Sequence, residues 1–237
     1  RADLLLNLRR FVLTLNSWLL PLLLGFGVAW VCALPFTGLQ RLFATGSAAF
    51  MLLGFLVLAV IFLNAAWQDG HEPPPYGVWL SRLVAGACLT LPVISGVSLW
   101  ALVLRVRQYG FTESRIWACV AAVLLAGYTA GYVMSLWPGR ARKVWMPSIG
   151  QTNIAMALCV MICLTLLVSP LADPRRLAVQ DQVQRLLSRQ IAPEAFDFDY
   201  LAHQGGRWGK TALETLSLLD GEKWQRVIAR RASDTLK

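Results

Sequence analysis

The stretch SAAFMLLGFLVLAVIFLNAAW, Ser47 to Trp67, decides the fold class. It contains no Asp, Glu, Lys or Arg, and its length is close to the roughly 20 residues that cross about 30 Å of hydrocarbon. No water is present in lipid to satisfy a peptide N–H or C=O. Such a segment is therefore stable only as a helix, whose hydrogen bonds close within itself. Four further stretches read the same way: WLLPLLLGFGVAWVCALPF (18–36), then 84–104, 116–137 and 153–169. Because the pattern recurs, a single cleaved signal peptide does not explain it. The expectation is an all-α protein: a polytopic transmembrane helical bundle over 1–171, then a small helical, soluble tail over 172–237.

Composition points the same way. Hydrophobic residues make up 57% of the chain and charged residues 15%, against about 25% charged in ordinary soluble domains. Half of the 22 Lys and Arg follow Leu171, so the earlier part is thinly charged. The formal net charge of +9 suits a membrane protein beside anionic lipid, and no basic–aromatic module points to nucleic acid. Trp18, Trp67, Trp79, Trp117, Trp137 and Trp145 stand near span ends, as in an interfacial aromatic belt. Near those ends, seven Lys and Arg fall on the N-terminal side and eight on the other, so charge leaves the orientation open. The chain opens RADLLLNLRR without Met and is expected to be part of something longer. Cys32, Cys88, Cys119, Cys159 and Cys163 lie within apolar stretches. They read as small buried hydrophobes rather than as a disulfide framework or zinc site, and no cofactor is expected.

Several motifs connect the spans. In LNAAWQDGHEPPPYGVW (63–79), Asn64 is a polar residue near a helix end, and Asp69-Gly70 with three prolines makes a stiff exposed turn. Asp69, His71 and Glu72 crowd one loop, where a solvated turn explains them better than acid–base chemistry. In LRVRQYGFTESR (104–115), Arg105 and Arg107 can reach lipid phosphates, Tyr109 suits the interface, and Arg115 is a further candidate for an interaction or structural role. Gly110 is expected to release one helix and Thr112 to cap the next. Gly127 and Gly131 form GxxxG, which lets another helix approach closely. Pro92 is expected to kink the third span.

After the last span, Asp173 reads as an N-cap with Pro174 at the first helical position. Leu177, Val179, Val183, Leu186 and Leu187 then fall on one helical side, making this stretch amphipathic. Pro193 opens a second short helix, and further helices follow over 208–219 and about 221–234. GGRWGKT (205–211) resembles a nucleotide-phosphate loop. The required glycine, five positions before Gly209, is instead Gln204, and FDFDYLAHQ is a poor buried strand. Gly205, Gly206 and Gly209 read better as a tight turn carrying Arg207 and Trp208. Phe196 and Tyr200 share an anchoring side, and Asp197 or Asp199 is expected to pair with Arg207.

The strings LPFTGLQRLFATG, LNAAWQDG, LRVRQYGFTESRIW, SPLADPRRLAVQDQVQRLL and FDFDYLAHQGGRWGKTAL cover nearly the whole chain. Together they resemble a bacterial inner-membrane family known as domain of unknown function 4153. The resemblance implies the C-terminal part of longer members, a multi-pass location in the inner membrane, and no established reaction. Three functional classes follow. The favoured one is a non-catalytic envelope component whose tail docks a protein partner or a lipid surface. The others are a membrane-embedded enzyme acting on a lipid-linked substrate through groups such as Asp69, His71 and Arg105, and a transporter or channel subunit.

Overall fold

A peptide segment that meets its own hydrogen-bonding needs is the rule along this chain. The structure, a computed structural model, describes residues 2–70, 74–136 and 145–236, and its elements are α-helices. Among the described residues, five helical segments are long and apolar enough to cross a membrane. They are α1 (Ala2–Thr37), α3 (Ala48–Trp67), α4 (Val78–Ala87) continuing as α5 (Thr90–Tyr109), α6 (Glu113–Met134) and α7 (Ile149–Val168), with the short α2 (Gln40–Ala44) after α1. A C-terminal helical region follows, comprising α8 (Pro174–Leu187), α9 (Phe198–His203), α10 (Gly206–Ser217) and α11 (Lys223–Thr235). The chain is a multi-pass membrane protein.

Hydropathy located the spans better than it located their ends. Helix α1 begins well before Trp18 and runs for 36 residues, about 54 Å at 1.5 Å per residue. Asn7, Arg9 and Arg10 lower hydropathy there without breaking helical hydrogen bonding. As expected, Pro92 interrupts the third span, and the break falls in the turn before it, around Cys88 and Leu89. Pro92 has no N–H for the Cys88 carbonyl and its ring crowds that group, so Cys88 O accepts the Leu91 N–H instead, at 3.1 Å. Of the five cysteines, all free, only Cys88 is buried, while Cys32 and Cys159 lie exposed on helix surfaces. In lipid a small apolar side chain needs no protein cover. The short helix expected from Pro193 begins later, at Phe198, because Asp197 rather than Pro193 supplies its N-cap.

The chain divides into two compact units. The first comprises Arg1–Leu102 and Val120–Met161. Its core includes Leu20 and Leu24 of α1, Leu56 and Leu63 of α3, Leu91 and Ile94 of α5, and Tyr132 of α6. Polar side chains tie its helices together. Ser17 Oγ donates within hydrogen-bond distance of Leu13 O on its own helix and Ala65 O on α3, at 2.7 and 3.0 Å. Ser135 and Ser148 hydroxyls meet at 2.6 Å.

Asn64, Tyr132 and Asn153 close a ring across three helices. Asn64 Nδ2 donates to the Tyr132 hydroxyl at 2.9 Å, that hydroxyl donates to Asn153 Oδ1 at 3.2 Å, and Asn153 Nδ2 donates to Asn64 Oδ1 at 2.5 Å. The second Asn64 amide hydrogen goes to Val60 O at 2.8 Å. Each member is donor to one neighbour and acceptor from another, an arrangement open to amides and hydroxyls but not to carboxylates. Interhelical bonds of this kind contribute about 0.6 kcal/mol on average and up to about 1.7. Tyr132→Phe removes the one group bonded to both asparagines. It is expected to destabilise the membrane helices by about 1 kcal/mol in a reversible detergent-unfolding titration, whereas Tyr128→Phe leaves the ring intact and the midpoint unchanged.

Candidate functional site

The second unit comprises Val103–Cys119 and Ile162–Lys237, so it joins the α5–α6 turn to the C-terminal helices. A helix that stops leaves its last carbonyls without intrahelical partners. At the end of α5 these groups are met from α8. Gln182 Nε2 donates to Tyr109 O at 3.1 Å and to Phe111 O at 2.9 Å, and Arg185 Nη2 donates to Arg107 O at 2.6 Å. Asp181 Oδ2 accepts the Phe111 N–H at 2.8 Å. From the other side Arg115 Nη1 donates to Gly110 O at 2.8 Å and Tyr109 O at 3.3 Å. Arg175 and Glu113 add an ion pair at 3.0 Å. The turn is clamped mainly through its backbone.

Gly110 makes the clamp sterically possible. Its φ is +75°, a conformation that penalises side chains. A Cβ there would lie 2.7 Å from both Asp181 Oδ2 and Gln182 Nε2. Thr112 Oγ1 accepts the Arg115 N–H at 3.4 Å, at the start of α6. Tyr109 is half exposed, with Arg105 and Arg115 guanidinium carbons 5.9 and 5.5 Å from its ring centroid.

The remainder of this unit is a four-helix cluster. Val179, Leu186, Phe196, Phe198, Leu201 and Leu213 are among its buried core residues, with Tyr200 packed against them. Asp173 caps α8 by accepting the Arg175 N–H at 2.9 Å, a contact of a kind that stabilises a helix by about 0.5–2 kcal/mol. Its second oxygen accepts the Trp208 indole N–H at 2.9 Å. Burial opposes ionisation of Asp173, but the Trp208 N–H and the Arg175 and Arg176 amides outweigh it and hold the carboxyl below its usual value.

Within GGRWGKT, α10 begins at Gly206 and no strand precedes it. The Gly209 N–H, which a phosphate loop would turn toward a ligand, donates to Gly205 O at 3.0 Å. A Cβ on Gly209 would come within 2.0 Å of the Leu201 carbonyl oxygen, so these glycines let α9 and α10 cross backbone to backbone. Asp197 accepts the Tyr200 N–H at 2.8 Å as the cap of α9. Neither Asp197 nor Asp199 pairs with Arg207. Arg207 lies over Trp208, 4.5 Å from the ring centroid, and Arg176 lies at 5.3 Å. A planar guanidinium next to an indole gains cation–π contact without desolvating a carboxylate.

The other candidate residues belong to the first unit. Asn64 is in the amide–tyrosine ring described above. Asp69 is exposed in the turn after α3, where the Gly70 N–H donates to Trp67 O at 2.9 Å. His71 and Glu72 lie outside the described residues, as do Trp137, Arg140, Arg142 and Lys143. Gly127 and Gly131 of α6 abut Met156 and Thr152 of α7; a Cβ on Gly131 would sit 2.3 Å from the Thr152 methyl. Sequence reading missed Asp181, Gln182 and Arg185. Their one local signal was their polarity, on the side of α8 away from its apolar stripe.

Gly110→Ala and Asp181→Ala are expected to open the 103–119 segment to limited proteolysis, while Asp199→Arg leaves the digestion pattern unchanged. Because the folded Asp173 carboxyl ionises below the usual ~3.9, its contribution is complete above that value. It is lost as pH falls through the lower folded pKa. The Trp208 fluorescence of a variant keeping that tryptophan alone is expected to report this step, and Asp173→Asn to abolish it.

No curated protein and no solved structure matches the chain. One family profile does, across residues 5–207, described as a domain of unknown function (DUF4153). That match spans most of the membrane helices, the α5–α6 turn, and α8 and α9 with the first residues of α10. The chain belongs to the DUF4153 family.

Proposed function

We propose that this chain is a non-catalytic component of the bacterial inner membrane whose amphipathic C-terminal helices form a docking platform for a protein partner. The observation that carries the reading is the clamp. Three side chains on two successive turns of α8 hold the α5–α6 turn by its backbone, which supports reading the tail as a platform rather than a tether. Binding surfaces gain affinity when ordering costs are met before the partner arrives. Five of the unit's ten Asp and Glu side chains support a structural rather than a catalytic reading. Asp173 and Asp197 cap helices, Asp181 holds the Phe111 amide, and Glu113 and Glu222 pair with Arg175 and Arg189.

The platform's docking surface is a groove of about 760 Å³ between α8 and α10, lined by Val179, Val183, Leu187, Trp208, Ala212 and Thr215 among others. Arg176 also lines it, beside Trp208. An apolar floor bordered by Arg176 and by neutral polar side chains such as Gln180 and Gln184 fits the apolar side of a partner helix that carries an acidic residue opposite Arg176. Leu187 is 48% exposed in the groove, so it can be altered without removing core. Leu187→Glu and Ala212→Glu are expected to abolish co-purification of one stoichiometric partner from membranes, with unchanged yield and unfolding temperature of the chain. Leu236→Glu, away from the groove, is expected to retain it. Retention by folded Leu187→Glu and Ala212→Glu, or no stoichiometric partner with the unaltered chain, would overturn the reading.

A further inference from the structure

The first unit holds a pocket of about 270 Å³ between α1, α2, α3 and α5. Among the described residues that line it none is charged, and the Trp30 indole supplies the one N–H or O–H group of their side chains. Leu52 and Ile94, both buried, close its inner side. Phe26 and Met51, 67% and 55% exposed, flank its mouth on the outer surface of α1 and α3. Both helices are membrane spans, so the mouth opens to lipid. Gly27 shapes one wall: a Cβ there would stand 2.8 Å from Phe55 Cζ, so the glycine lets that ring lie against the α1 backbone.

Depth follows from helix length. Helix α3 has 20 residues, about 30 Å at 1.5 Å per residue and so close to the hydrocarbon thickness. Met51 lies in its first turn, and Leu42 of α2, in the connection between α1 and α3, also lines the pocket. The pocket therefore lies near the level where acyl chains join their ester groups. Water is scarce at that depth, and a donor without a partner costs free energy. The Trp30 ring packs against the core of the unit, but its N–H makes no hydrogen bond with the described residues. A lipid acceptor completes it.

We infer that this pocket binds one acyl chain of a phospholipid, with the ester carbonyl of that chain accepting the Trp30 N–H. The size fits a segment of chain. A cavity of about 150 Å³ takes a benzene ring, and this one is less than twice as large, too small for a whole diacyl lipid. Chemistry separates the acyl ester from its rivals. The carboxylate of a fatty acid would meet no cation among the lining residues, and a polyisoprenyl chain offers the indole no carbonyl. The pocket and the docking groove belong to different units, so either can be lost while the other remains.

The test uses the full chain in an uncharged detergent, titrated with dioleoyl phosphatidylcholine, its diether counterpart and oleate, and read by native mass spectrometry. The pocket predicts one saturable adduct of the ester lipid. The diether lipid keeps both chains but lacks the carbonyls. It is expected to bind about fivefold more weakly, the effect of one neutral hydrogen bond. Trp30→Phe is expected to weaken the ester lipid by the same factor and to erase the ester–ether difference, which loss of packing alone does not do. Met51→Trp, at the exposed mouth, is expected to abolish the adduct. Trp100→Phe, exposed on α5 and outside the pocket, is expected to leave it unchanged. Unfolding temperatures establish that each variant is folded. Adducts that accumulate without saturation, or full binding by folded Met51→Trp, overturn the pocket. Equal binding of ester and ether lipids by the unaltered chain overturns the Trp30 contact, and tighter binding of oleate overturns the assignment to phospholipid.

Discussion

Helix α5 ends at Tyr109, and the carbonyls it leaves unpaired meet Gln182, Arg185 and Arg115 rather than bulk water. Much of the second unit follows from this backbone requirement. It places a glycine at position 110, since any side chain there would collide with Asp181 and Gln182. It engages Asp181 with an amide, and it directs Arg115 inward to Gly110 O. The same bonds set the first C-terminal helix against the turn that joins two membrane spans. Each contributes modestly by itself, about 0.5–1.5 kcal/mol for a neutral pair. The larger penalty attaches to removing one partner and leaving the other buried.

In the first unit the same requirement is met by side chains among apolar helices. The Asn64–Tyr132–Asn153 ring pairs amides and a hydroxyl from α3, α6 and α7 without placing a formal charge in the membrane region. Glycines at 127 and 131 remove the bulk that would hold α7 away from α6. Small residues for close approach and neutral polar groups for registry replace the hydrophobic drive that lipid cannot supply between helices. The two units therefore use different chemistry for a shared problem. One uses neutral rings, and the other uses charged side chains bonded to backbone groups.

Much of the fold was legible because composition in a span is dictated by solvent. A charge-free run such as Ser47–Trp67 has one stable conformation in lipid, and α3 occupies Ala48–Trp67. Local signals were legible for a related reason: Asp173 before Pro174 acts through atoms two residues away. Pro92 showed where a helix would weaken but not that the break would fall at Cys88, because the crowded carbonyl belongs to the preceding turn. Long-range pairs were not legible. Asn64 stood out as polar in an apolar run, but its partners lie 68 and 89 positions away. Asp181 and Gln182 meet Phe111 across 70 and 71 positions. The expected pairing of Asp197 or Asp199 with Arg207 failed because sequence proximity favoured opposite charges, whereas a neighbouring indole offered Arg207 a stacking partner.

The account depends most directly on the Phe111 amide being held by Asp181. Amide hydrogen exchange of the full chain in lipid nanodiscs measures that bond. The clamp predicts that Phe111 exchanges as slowly as amides within α8, and that Asp181→Ala accelerates Phe111 while leaving the α3 amides protected. Exchange of Phe111 in the unaltered chain at the rate of an open loop would contradict the clamp and the fixed platform built on it.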